Sequence, residues 1–136
     1  MKNEHEILVN LIQEYLENNP EQRFGQALFN LRINEFKKNT NPENHQLRDI
    51  YNDSDGEIIE RIQSQLDWFE LQREVNHKIS KTSNLKGLTV NERLHLTGLS
   101  EDFDRLKQDN PIQAKFILER LGVDSESIDK ILKIKS

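Results

Sequence analysis

Three groups of residues in this 136-residue chain have types and spacings that could do chemistry. Asp53-Ser54-Asp55-Gly56 is reminiscent of a calcium-binding loop. With Gly56 at the sixth position of an EF-hand loop, the first ligand falls on Tyr51 and the bidentate glutamate on Ile62. Two ligands are missing, so the segment reads as a helix-capping turn. Glu74–His77 and Glu92–His95 repeat a Glu-x-x-His spacing that, aimed inward from separate helices, builds di-iron sites in bundles. His77 shares a polar face with Glu70, Arg73 and Glu74, and Gly98 interrupts the helix carrying His95. Both pairs read as solvated, and no metal is expected. Nucleophilic catalysis lacks its parts: there is no cysteine, no Gly-x-Ser-x-Gly elbow and no glycine-rich phosphate loop. Carboxylates are plentiful, yet they sit at helix starts and on surfaces, so no glycosidase pair stands out. The expectation is a protein without catalytic residues or cofactor, not an enzyme.

Two further groups point to binding. Asp49, Asp53, Asp55 and Glu57 crowd around Tyr51, with Trp68 about two to three helical turns further on. Aromatic side chains beside charges are common binding hot spots, so Asp49, Tyr51, Asp53, Asp55, Glu57 and Trp68 are the candidate partner-binding residues. The alternative is DNA binding by a helix-turn-helix, through a helix over 20–32 that offers Gln22, Arg23, Gln26 and Asn30.

These residues depend on helices for their positions. Ile7, Leu8, Leu11, Ile12, Tyr15 and Leu16 form one stripe at period 3.6, predicting a helix over 4–18. Asn19-Pro20 reads as N-cap and first turn of the 20–32 helix, with Gly25 inside it marking a close approach by another element. Residues 37–46 hold no apolar side chain and read as a loop, with Leu47, Ile50 and Tyr51 forming a short helical turn beyond it. Ser54 with Glu57 is a capping box for a long helix over 56–80. That helix carries two apolar stripes, Ile58-Ile59-Ile62-Leu66-Phe69 and Trp68-Leu71-Val75-Ile79. Thr89 with Glu92, Ser100, Asn110-Pro111 and Asp124 or Ser125 cap the short helices of the last third, and Gly122 stops one of them.

Composition agrees with helices. Leu, Ile, Val and Phe number 40, enough for a packed core, whereas Val and Thr together number eight, too few for a sheet-dominated protein. No apolar run suits a membrane span or signal sequence, and the lack of cysteine fits the cytoplasm. Net charge is −5, with −6 in residues 1–80 and +1 in 81–136. That balance repels nucleic acid and anionic membrane and attracts a basic protein surface.

The stretch Arg23-Phe24-Gly25-Gln26-Ala27-Leu28-Phe29-Asn30-Leu31, followed by Leu47-Arg48-Asp49-Ile50-Tyr51-Asn52-Asp53-Ser54-Asp55, resembles a group of small bacterial and phage-type proteins. Leu88-Thr89-Val90-Asn91-Glu92-Arg93-Leu94, with Thr97-Gly98-Leu99 and Asp102-Phe103-Asp104, resembles a second such group. Together the two cover most of the chain. The resemblance implies bacterial or mobile-element origin and carries over no site. The expectation is an all-α, compact multi-helix bundle of six to eight helices, with an acidic unit at 1–80 and a short-helix unit at 85–136. Its expected function is non-catalytic: an inhibitor, of the toxin-immunity or phage-antagonist kind, that masks a partner's basic surface.

Overall fold

The computed structural model describes residues 3–37 and 46–133. Of these, 68% are helical, in seven helices: α1 (Glu4–Asn18), α2 (Phe24–Asn30), α3 (Asp55–Ser80), α4 (Val90–Thr97), α5 (Ser100–Asp109), α6 (Pro111–Arg120) and α7 (Ser125–Leu132). The fold is all-α, as the stripes require. A lone antiparallel pairing, Phe36 with Leu47, is the extended structure among the described residues. No described helix is long and apolar enough to cross a membrane.

The chain divides into two compact units, Met1–Asp67 and Trp68–Ser136, and the division falls inside α3. The sequence reading placed the boundary later, between the units 1–80 and 85–136, with the polar stretch 81–87 as the linker. The second stripe of α3 explains the difference. Leu71 and Val75 are buried in one core with Leu94, Leu99, Phe103, Leu106, Ile117, Leu118 and Ile128, and Trp68 and Ile79 pack against it. Leu85 and Val90 pack against the same core, so 81–87 is a connection inside the second unit.

In the second unit α4 packs on α5, α5 on α6, and α6 on α7. Local chemistry sets each end. Thr89 and Glu92 form the expected capping box, and the Thr89 amide holds the Glu92 carboxyl below its usual range. Gly98 closes α4 in the left-handed conformation, φ 75°, where a Cβ is strained. Asn110 accepts from the Gln113 amide and Pro111 opens α6. Asp124 accepts from the Ser127 amide and hydroxyl, which lowers its pKa. The start of α5 departs from the sequence reading. Ser100 is its first residue, and Leu99 stands at the cap with no side-chain bond, because Leu99 is drawn fully into the core.

In the first unit α1 packs on α2. The core is smaller: among the described residues its buried apolar side chains are Tyr15, Ala27, Leu31, Ile33 and Ile62. α1 matches its predicted bounds, but α2 is shorter than the predicted 20–32. Asn19 serves the preceding helix instead, donating its side-chain Nδ2 to the Tyr15 carbonyl and its backbone N–H to the Leu16 carbonyl. Arg23 becomes the N-cap, its amide donating to the Gln26 side chain. Among the described residues Gly25 has nothing within 4 Å of where a Cβ would stand, so no described element crosses there. Leu47 is paired with Phe36 in extended conformation, and no helical turn forms over 47–51. Of the predicted loop 37–46, residues 38–45 lie outside the described residues.

Candidate functional site

A network of arginines and carboxylates fixes the segment between the Phe36–Leu47 pairing and α3. Arg48 grips Asp53 with two parallel bonds, Nη1 to Oδ1 at 3.0 Å and Nη2 to Oδ2 at 2.6 Å. The same guanidinium donates to Glu35 Oε2 from Nε at 3.3 Å and Nη2 at 3.2 Å. From α3, Arg61 donates Nη1 to Asp53 Oδ2 at 2.9 Å, Nε to the Arg32 carbonyl at 3.0 Å and Nη2 to the Ile33 carbonyl at 3.1 Å. These are carbonyls just past α2, where the chain turns through Arg32 at φ 64° and no further helical partner exists. Arg32 closes the ring on Glu35 at 3.1 Å.

The charge-assisted bonds shape the ionisation. The hydrogen bond from Arg48, reinforced by Arg61, lowers the Asp53 carboxyl to about 2, and the same bond raises the Arg48 guanidinium above its usual value. Planar fork matches planar carboxylate here, a fit lysine would lack.

The segment 46–54 is therefore held at both ends. At one end the Arg48 amide donates to the Glu35 carbonyl and the Lys37 amide to the Gln46 carbonyl, at 2.9 and 2.8 Å. At the other, Asp53 is clamped, its amide donating to the Ile50 carbonyl, and Ser54 Oγ accepts the Glu57 amide to start α3. Between them, Asp49 Oδ1 accepts the Tyr51 amide at 2.9 Å. Tyr51 stands at the tip, 86% exposed. Beside the network lies an open cleft of about 870 Å³ whose lining includes Phe29 and Phe36, with ring centroids 5.3 Å apart.

The candidate residues are thus partly brought together. Asp49, Tyr51, Asp53, Asp55 and Glu57 lie in one loop and the first turn of α3. Asp53 is not a free acid for a partner, since two arginines neutralise it. Asp55 pairs with His5 at 2.9 Å. Glu57 is exposed on the cleft. Trp68 does not join this group: it belongs to the second unit, edge-on to Phe116 with centroids 4.9 Å apart. Its place on the second α3 stripe commits it to that core. Sequence reasoning missed Glu35 and Arg61, and Arg48 as their link. Their only trace was interleaved charge at 32, 35, 48, 53 and 61, with no fixed spacing.

The other sequence candidates have local employment. The α2 helix has seven residues. Gln22 accepts from Asn30 at 3.0 Å and Gln26 from the Arg23 amide, so three of the four side chains considered for reading bases are already bonded. Glu74 pairs with Lys78, raising the lysine's pKa, and Glu92 is used in its cap. Among the described residues no group of three or more His, Asp or Glu is placed to hold a metal ion. Compared with protein-family models, curated proteins and solved structures, the chain has no match in any of the three.

Proposed function

We propose that the chain is a cytoplasmic, non-catalytic inhibitor of bacterial or phage type that binds a partner protein and masks a basic surface on it. The observation that supports this reading is Tyr51, 86% exposed on a loop held by two arginines. Displaying a large aromatic in water is unfavourable for the free chain, and holding it in place lowers the entropic cost of burying it in a complex. Glu57 and Glu60, exposed on α3, add negative charge beyond the loop. In this reading Asp49 and Asp53 position the loop, Glu57 steers the encounter, and Tyr51 anchors the complex.

The test is affinity capture on immobilised wild-type and Tyr51→Ala chains, followed by rate measurements on the retained protein. A basic partner is expected. Glu57→Lys should slow association at low salt, while Tyr51→Ala should speed dissociation, because rim charges act on encounter and anchors on release. A partner bound equally well by both variants sinks the proposal. Retention of DNA that Arg23→Ala abolishes would put the helix-turn-helix reading in its place.

A further inference from the structure

The first unit carries a second feature, independent of the Tyr51 loop. α1 turns an apolar face outward. Val9 is 61% exposed, Ile12 and Leu16 are half-buried, and Phe24 of α2, 59% exposed, forms the far wall. Together they line a depression of about 450 Å³ that ends at Glu17. Val9 also lines an adjoining depression of about 460 Å³, otherwise lined by Asn3, His5, Glu6 and Asn10. The two share Val9, so the groove follows α1 from Glu6 to Glu17. Eleven residues at the helical rise make that about 16 Å, three turns of helix.

The charge around the groove restricts its occupant. Its lining carries the carboxylates of Glu6 and Glu17 and the imidazole of His5, which pairs with Asp55. A second copy would bring the same acids face to face, which opposes pairing, and an anionic membrane is repelled in the same way. A basic amphipathic helix meets both demands. Apolar residues at i, i+4 and i+7 match the apolar span from Val9 to Leu16, and lysines or arginines toward its two ends reach Glu6 and Glu17.

We infer that the α1–α2 groove is a docking site for a basic amphipathic helix of a partner protein. The inference goes beyond the loop-based reading and does not rest on it. Because Val9 and Phe24 are exposed, polar substitutions there leave the core intact.

The probe is a fluorescein-labelled peptide of about 14 residues, with leucines on one helical face and lysines elsewhere. Its counterpart has glutamate for every lysine. Anisotropy titrations on the full chain should show binding of the lysine peptide that weakens with salt, and none of the glutamate peptide. Val9→Ser with Phe24→Ser should weaken the lysine peptide by roughly tenfold or more, and Glu6→Lys with Glu17→Lys by a similar factor. CD melting confirms that each variant folds. Tyr51→Ala should bind the peptide like wild type, so loss of the loop reading and loss of the groove are seen separately. Three results overturn the inference. Equal binding by the Val9/Phe24 variant means charge attraction alone. Equal binding of the glutamate peptide means the acidic rim selects nothing. A wild-type dimer in sedimentation, lost in Val9→Ser, means that a second copy fills the groove.

Discussion

Replacing Arg61 with methionine isolates the contribution of the arginine network. Methionine keeps most of the aliphatic stem and removes three hydrogen bonds, to the Arg32 and Ile33 carbonyls and to Asp53. Bonds from a charged donor contribute about 1.5–3 kcal/mol each, net of water. The Arg61 side chain is 16% exposed, so water recovers part of the loss at each carbonyl. The expected cost is about 2–4 kcal/mol for the first unit. Units of this size rarely exceed a stability of about 3–5 kcal/mol from one small core, and this core is small. Arg61→Met should therefore bring the first unit close to its folding midpoint at 25 °C. Arg61→Lys, which supplies a point charge but no fork, should cost roughly half as much. Hydrogen exchange of the Lys37 and Arg48 amides, which bond across the 36–47 pairing, reads the change directly. A change below about 0.5 kcal/mol, the range of ordinary surface substitutions, refutes the argument. Full retention of stability by Arg61→Lys would show that the fork geometry is unimportant.

Further outcomes follow from single groups. The Asp53 pKa of about 2 lies below its usual 3.8, so the unfolded chain takes up this proton first on acidification. The associated stability is fully present above pH 3.8 and is lost as the pH falls through about 2; Asp53→Asn should flatten that part of an acid titration followed by CD. Gly25 lies in the first turn of a helix with open space at its Cβ, so Gly25→Ala should stabilise by about 0.5 kcal/mol. Gly98 has equal space but φ 75°, so Gly98→Ala should cost about 1–2 kcal/mol, and urea titrations of the pair separate backbone strain from crowding.

What the sequence revealed depended on range. Capping by Thr89 and Glu92, the Asn110-Pro111 start, the Gly98 and Gly122 stops and the length of α1 are set within a few residues, and all were legible. Asn19 misled because one asparagine can serve either adjoining helix, and the choice fell to the Tyr15 carbonyl. The two α3 stripes were visible, but which neighbour each serves was not. That question decided where Trp68 belongs and where the units divide. The acids around Tyr51 stood out by composition, but Leu47, Ile50 and Tyr51 were expected in a short helical turn, not in the extended segment and loop that form. The groups that hold it, Glu35 and Arg61, lie on distant segments joined only by folding, so no local pattern announces them.

The packing of α4 on α5, α5 on α6 and α6 on α7 also sets an order in time. Each helix in this series meets its next neighbour in the chain, so little loop entropy must be spent before a contact forms, and such topologies fold fast. The first unit differs: Arg61 reaches the Arg32 and Ile33 carbonyls across 29 and 28 residues. On a ribosome its helices emerge first, yet the residue that locks them emerges last, after α3 has begun. In refolding, the Trp68 fluorescence of the second unit should therefore recover before the Lys37 and Arg48 amides become protected, and simultaneous recovery would show that the two events are one.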